Sequence, residues 1–349
     1  MAVKLKKWQW ALMIVACIAL VWGVFALVPR HDSSGGQNPF RTSNGVMLIA
    51  HRGGRGEMPE NTLEAFYNAY HIDSYAVLET DINMTKDGKL ILCHDTRLDR
   101  TTNTTGRVID WTYADLVSQE VDFGYANTPI KDDEDNYVLD DEGNRTYTLS
   151  QFTTSLPASD AGATKTPLDV RYPLGVTARH TTKFLVTTVE ELLAAFPNSL
   201  ISMEIKQSGE TGLLALEKLL KILEDKNALG RVVIGSFHEE IYKEELSLKK
   251  EGKDFMFSPA TNGVIEFLVP SWLLLDAFYS RPVSVMQVPM SQGPINVATR
   301  AFVNTLHRHN IAVQFWTINN EEDMRFLIKI GADGIMTDYP SLLKSVLEE

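Results

Sequence analysis

Cysteine is nearly absent from this chain: Cys17 and Cys93 are the only two in 349 residues. A disulfide framework is therefore excluded. Cys17 sits in an apolar N-terminal run far from Cys93, which argues against even one bridge. Positive charge is scarce as well. The 33 Lys and Arg stand against 45 Asp and Glu, a net charge of −12. An acidic body repels polyanions, so no nucleic-acid partner is expected. No G-x-G-x-x-G follows the first apolar β-branched run, which removes a dinucleotide-binding sheet. What is present suffices for a core: 44 % hydrophobic and 9 % aromatic residues. At roughly 150 residues per domain, the length suggests about two domains or one barrel with additions.

Charge of either sign is missing between Lys7 and Arg30, where the chain reads WQWALMIVACIALVWGVFALVP. A bilayer span takes about 20 apolar residues, and this run is long enough. Trp8, Trp10 and Trp22 suit interfacial positions near its ends. Lys4, Lys6 and Lys7 precede the run and Arg30 follows it, so the positive-inside rule puts the N-terminus in the cytoplasm and the body outside. The alternative is a cleaved signal peptide and a secreted protein. Signal peptides, however, carry apolar regions of about 7–15 residues, and Val24-Phe25-Ala26 is only a weak cleavage motif. Residues 1–29 thus read as cytoplasmic stub and transmembrane anchor. Residues 30–45, rich in Ser, Gly and Asn, read as a flexible linker. The first thirty residues hold four basic side chains and no acid, leaving 29 basic against 45 acidic beyond them.

From residue 46 to about 345, short β-branched runs alternate with helical periodicity. Strands are expected at 46–50, 76–82, 200–205, 232–236, 255–258, 283–288, 312–317 and 334–337. Helices are expected at 61–70, 211–225, 239–250, 295–309 and 321–330. Eight such units predict an α/β fold of the (β/α)8 TIM-barrel type. Residues 98–184 break the rhythm and read as an insertion after the second strand, carrying a hairpin with arms 137–140 and 145–149. The acid run 132–135 lacks EF-hand spacing and reads as a solvated face.

Barrel active sites lie at the C-terminal ends of the strands. There the sequence places His51-Arg52-Gly53-Gly54, Glu79-Thr80-Asp81, Glu204-Ile205-Lys206 and Trp316, while a β-ribbon over 89–93 leads into His94-Asp95. Residues two apart on a strand share a face, so Glu79 projects with Asp81 and Glu204 with Lys206. Three converging acids repel one another unless a cation joins them, and oxygen ligands suit Ca²⁺ or Mg²⁺ rather than zinc. Two histidines can divide general acid and base roles near neutral pH. Arg52 and Lys206 offer positive charge to an anion. Together these point to hydrolysis of a phosphate ester.

The segments AHRGGRGEMPENTLEAF, LETDINMTKDGKLILCHDTRLDRTTNTTG, MEIK and FWTINNEEDMRFLIKIGADGIMTDYP resemble the glycerophosphodiester phosphodiesterase family across most of residues 50–340. The resemblance implies a TIM barrel with a small insertion, one divalent cation and two catalytic histidines. It implies His51 and His94 as the acid–base pair, with His51 as base and His94 as acid. It implies Glu79, Asp81 and Glu204 as metal ligands, Arg52 and Lys206 on phosphate, and Trp316 against the glycerol. Glu60, in the P-E-N-T motif, is placed beside the site in an orienting role. Asp338 and Tyr339 are expected to close the last strand rather than do chemistry.

The reaction implied releases glycerol phosphate and an alcohol. The nucleophile is either water or the neighbouring glycerol hydroxyl through a cyclic phosphate. The membrane segment and the apolar run 264–280, which is expected on the active-site rim, motivate an alternative: a lysophospholipase D, or a phosphodiesterase acting on lipid or teichoic acid. A non-catalytic binding protein on the same scaffold is the reading from a different class.

Overall fold

The computed structural model describes residues 6–42, 45–155 and 162–349. The first element is α1 (Lys7–Leu27), whose described side chains are almost all exposed. The barrel starts with β1 (Met47–Ala50), followed by α2 (Leu63–Ile72) and β2 (Val77–Met84). The short β3 (Leu90–Leu92) pairs antiparallel with the end of β2. A small α3 (Tyr113–Ser118) lies in the insertion and α4 (Val189–Ala195) follows it. Then come β4 (Ile201–Ile205), α5 (Gly209–Asp225), β5 (Val232–Gly235), α6 (Glu239–Lys250), β6 (Met256–Phe257), α7 (Thr261–Trp272) and β7 (Val285–Val288). A two-stranded hairpin, β8 (Ser291–Gln292) and β9 (Ile295–Asn296), precedes α8 (Arg300–Arg308). The chain finishes with β10 (Ala312–Phe315), α9 (Glu321–Ile330), β11 (Gly334–Thr337) and α10 (Pro340–Glu348).

All eight expected barrel strands form, in the order β6-β5-β4-β2-β1-β11-β10-β7, and every ladder along that path is parallel. The ring is nearly closed. At the seam the Ser284 amide donates to the Phe257 carbonyl at 3.1 Å, between the ends of β6 and β7. Strands of this kind are covered on both faces, which is why they read as continuous apolar runs. The helices start where short polar side chains satisfy free amides. Thr62, Thr188, Thr299 and Asn320 each cap a helix, and Glu191 completes a capping box with Thr188. The helix expected over 295–309 begins only at Arg300, because 295–296 is spent in the hairpin.

Three expectations are corrected. The hairpin of the insertion, whose two expected arms pair antiparallel at Leu139 and Arg145, is not complete with two arms. Ile130, Val138 and Thr146 are bonded in a cycle, amide to carbonyl, each at 2.9 Å, so a third segment joins the two expected arms. Its corners are two similar turns in which Asp132 and Asp140 accept backbone amides, so those carboxylates are engaged by the chain itself.

Residues 30–42 are not a free linker. They line the N-terminal end of the barrel, where Asn38 donates to the carbonyls of Ser284 and Asn310. Arg41 pairs with Asp333 at 2.6 Å, just ahead of β11. Phe40 is fully buried and packs with Ile49, Val77, Val233, Val285 and Ala312, plugging the barrel floor. Residues 43–44 of the expected linker lie outside the described residues.

The run 264–280 does not stay on the active-site rim. Helix α7 starts beside the C-terminal end of β6 and travels about 18 Å at 1.5 Å per residue. Asp276 beyond it then meets Arg30 and Arg308 at the opposite end.

Candidate active site

The end of β1 turns at once into the H-R-G segment. Arg52 takes φ 53°, a left-handed conformation, and its amide donates to the Glu79 carboxylate at 2.8 Å. Gly53 is required there: a Cβ would meet Ala65 Cβ of α2 at 2.7 Å, at φ 81°. This turn seats His51 at the mouth of the barrel and lays Arg52 across the ends of β1 and β2.

Glu79 and Asp81 share one face of β2, and in the ladder Asp81 stands directly opposite Glu204 of β4. Carboxylate oxygens of Glu79, Asp81 and Glu204 lie within 4.8 Å of one another. Burial and the Asp81 charge push Glu79 well above the usual carboxylate range. Burial raises Glu204 too, against the opposing charge of Lys206. Asp81 is also pushed up by burial, but Lys206, Arg52 and His94 together hold it below its ordinary value. Lys206 Nζ lies 3.0 Å from Asp81 and 2.7 Å from Glu204, and Arg52 Nε lies 3.1 Å from Asp81. Two of three clustered carboxylates driven toward protonation mark a place where positive charge is in deficit. A hard divalent cation fits this all-oxygen donor set.

The two histidines are held alike. His51 Nδ1 is 2.6 Å from Asp338 Oδ1, and His94 Nδ1 is 2.5 Å from Asp95 Oδ1. With each Nδ1 engaged, each Nε2 is the nitrogen left for proton transfer. Burial lowers the pKa of His51, and the Asp338 hydrogen bond only partly offsets this. A cavity of about 250 Å³ is lined by His51, Arg52, Glu79, His94, Glu204, Lys206 and Trp316. Seven of the nine expected site residues therefore meet there. Asp81 lies beneath, fixed by Asn61 Nδ2 at 3.0 Å. Glu60 is set back and accepts from Arg52 at 3.0 Å and from Arg100 at 2.7 Å.

Sequence reasoning passed over several contributors. Asp338, expected only to close the last strand, holds His51 and also accepts from Arg55 and Asn319. An acid one residue beyond the eighth strand, on the rim shared with the other strand ends, was the available signal. Asp95 was visible as the neighbour of His94. Asn61, Arg100 and Phe237 had none, because their partners are distant in sequence. The Phe237 ring meets Trp316 edge to face at 5.8 Å between centroids.

A model of the Glycerophosphoryl diester phosphodiesterase family matches residues 51–342. A glycerophosphodiester phosphodiesterase of Bacillus altitudinis is 25 % identical over 306 residues, covering 86 % of this chain and 98 % of its own. The phosphodiesterase domain of a Mycobacterium tuberculosis protein superposes with a TM-score of 0.61 at 16 % identity, covering 86 % of this chain and 99 % of that one. A phosphodiesterase of Oleispira antarctica, solved with the product sn-glycerol-3-phosphate, gives 0.55 at 16 % identity, covering 87 % of this chain and 98 % of that one.

Proposed function

Because the chain belongs to the glycerophosphoryl diester phosphodiesterase family, and is thereby a phosphodiesterase, we propose that it hydrolyses glycerophosphodiesters to glycerol phosphate and an alcohol, using His51 and His94 as the proton-transfer pair. The observation that carries this reading is the pairing of two carboxylate-held histidines with the acid cluster around one cavity.

His51 is the better base. Its lowered pKa keeps the imidazole neutral at neutral pH, and Asp338 fixes the tautomer with Nε2 unprotonated. His51 takes the proton of the nucleophile, either water or the neighbouring glycerol hydroxyl, whose cyclic phosphate water then opens. His94, braced by Asp95, returns a proton to the departing alcohol oxygen. Arg52 and Lys206 hold the phosphoryl oxygens, Arg52 through its fork and Lys206 as a point charge. Both are kept protonated by the surrounding carboxylates, despite burial that opposes it. Glu60 keeps the Arg52 guanidinium in place. Trp316 and Phe237 wall the cavity with apolar surface suited to the glycerol carbons.

Glu79, Asp81 and Glu204 would hold a Ca²⁺ or Mg²⁺ ion. When bound, such an ion supplies a Lewis acid that offsets charge building on the phosphoryl group.

The test is substitution and chelation. His51→Ala, His94→Ala and Glu79→Ala should each lower kcat on glycerophosphocholine by at least about 100-fold with the fold retained, the typical contribution of a general acid or base. A chelator should abolish activity and added Ca²⁺ or Mg²⁺ restore it. Near-normal turnover in all three variants would refute the assignment.

A further inference from the structure

The inside of the barrel is layered, and its middle layer is polar. Alternate residues of a strand point to the same face. The lowest inward positions are apolar: Val77, Val233, Val285 and Ala312 close over Phe40. Two residues further on, the same strands carry Glu79, Gly235, Gln287 and Gln314. Strand β4 adds Ser202, which stands opposite Glu79 in the ladder. Gln287 of β7 and Gln314 of β10 are direct ladder partners. Two amides in the middle of apolar strands carry a desolvation cost unless each is hydrogen-bonded.

The bonds of Gln287 fix which way its amide faces. Its nitrogen carries two protons. One goes to Gln314 Oε1 at 3.0 Å and the other to Ser202 Oγ at 2.9 Å. Strands β7 and β4 are separated by β6 and β5 around the ring, so the side chain spans the lumen. With both protons spent below and across, Oε1 is left as an acceptor. It is not sealed off. Gln287 lines the catalytic cavity, and a Cβ on neighbouring Gly235 would stand 3.4 Å from Oε1, so the bare glycine keeps the oxygen uncovered. A rigidly held acceptor on an enclosed floor calls for a donor from whatever enters. The floor also lies at a telling depth. Ser202 is two residues, about 7 Å, short of Glu204. A three-carbon glyceryl chain hanging from a phosphoryl group between Arg52 and Lys206 is long enough to bring its far hydroxyl there.

Resting on the reading that glycerophosphodiesters are hydrolysed here, we propose that Gln287 Oε1 accepts a hydrogen bond from the terminal hydroxyl of the glyceryl group, and so selects substrates in which that hydroxyl is free. Ser202 and Gln314 are positioning residues that hold the amide for this contact. A lysolipid esterified at that oxygen has no proton to offer, and the floor leaves its acyl chain no room, so lysolipids of this kind are disfavoured. A glycerol phosphate polymer linked through both terminal carbons presents a free terminal hydroxyl only at a chain end, so it would be shortened from that end and not cut internally.

The test compares two substrates on the full-length chain in detergent, with Ca²⁺ or Mg²⁺ present. One is glycerophosphocholine. The other is 2-hydroxypropyl phosphocholine, which keeps the hydroxyl next to the phosphodiester and lacks the terminal one. Wild type should prefer the first by about 10- to 100-fold in kcat/KM, the penalty for leaving an enclosed acceptor without its donor. Gln287→Met keeps the length of the side chain but removes the oxygen, and should bring the ratio within about threefold. Damage to the fold lowers both rates alike and leaves the ratio unchanged. Gly235→Ala adds one methyl that meets nothing closer than 3.4 Å, so the fold is retained while the oxygen is crowded, and the ratio should shrink in the same direction. If Gln287→Met gives no folded protein, Gly235→Ala decides alone. A preference that survives Gln287→Met overturns the proposal, because another group then reads the hydroxyl. An active wild type that is indifferent to the terminal hydroxyl overturns it too and leaves the phosphodiesterase reading intact. A wild type that turns over neither substrate removes the glycerophosphodiester reading and this assignment together.

Discussion

Replacing Asp338 by Asn removes one charge and little else. In the native chain Asp338 Oδ1 accepts from His51 Nδ1 at 2.6 Å, and Oδ2 accepts from Asn319 at 2.8 Å. Burial pushes Asp338 up, yet His51 and Arg55 keep it below its ordinary value, so it is a carboxylate at working pH. An Asn amide can offer its nitrogen to His51, which selects the wrong tautomer, or its oxygen, which makes a neutral bond. A hydrogen bond to a charged group contributes about 1.5–3 kcal/mol. If that is felt only when His51 gains its proton in the transition state, kcat falls by about 10- to 150-fold at 1.36 kcal/mol per decade. KM should change little, because Asp338 does not line the cavity. The pH profile carries a second signature. Asp338 raises the pKa of His51 against the lowering effect of burial. The base form is the deprotonated one, so activity rises as pH passes that pKa. Without the carboxylate, the acid limb of kcat/KM should move to lower pH while the plateau drops. The assay is alcohol release from glycerophosphocholine across pH 4–9, with circular dichroism to confirm the fold. A variant within about threefold of wild type, or an acid limb that moves upward, would refute the role given to Asp338.

Other perturbations follow from the same contacts. Burial raises Asp95, but hydrogen bonds from His94 and Arg100 outweigh it and hold the carboxyl at about 2. This lies below the unfolded value of about 3.9, so the stabilisation is complete above that pH and is lost as pH falls through about 2. Asp95→Asn should be less stable than wild type at pH 6 by about 1–2 kcal/mol after allowance for partial exposure, and the difference should vanish near pH 2 in denaturant titrations. Glu245 is buried in α6 with both oxygens unpartnered, and burial pushes it well above its usual range. Glu245→Met should therefore stabilise the protein by about 1–3 kcal/mol at neutral pH, seen as a higher midpoint in urea. Because burial raises the folded pKa above the unfolded value of about 4.3, the wild-type penalty eases as pH falls from neutral toward about 4, so the gain should shrink through that window and level off below it.

The barrel was legible because its strands are short apolar runs covered on both faces, and each of 46–50, 200–205 and 334–337 announces itself by composition alone. The acid cluster was legible because strand periodicity is local: Glu79 and Asp81 must share a face wherever the strand goes. The contacts that hold the histidines and arginines were less so. Asp338 reaches His51 across 287 positions, and nothing at residue 338 says which strand end will be its neighbour until the ring closes. The segment 30–42 misled for a different reason. Its Ser, Gly and Asn residues do suit a linker, yet Asn38 and Arg41 find carbonyls and a carboxylate at strand starts, and the single Phe40 finds the barrel floor. Composition averages over a segment, whereas docking depends on one or two side chains.

Arg100 belongs to the insertion, yet its guanidinium ends on the carboxylate that also steadies Arg52. Glu60 is largely enclosed, and its burial is tolerated because two cations share it. A graft that exchanged residues 98–184 for the equivalent stretch of a relative would carry one of those cations away. Glu60 would then draw on Arg52 alone, and the guanidinium proposed to hold phosphate would become a structural counter-ion. Chimaeras across this boundary should lose substrate affinity before they lose stability, and the remedy is to restore one arginine at position 100 rather than to redesign the cavity.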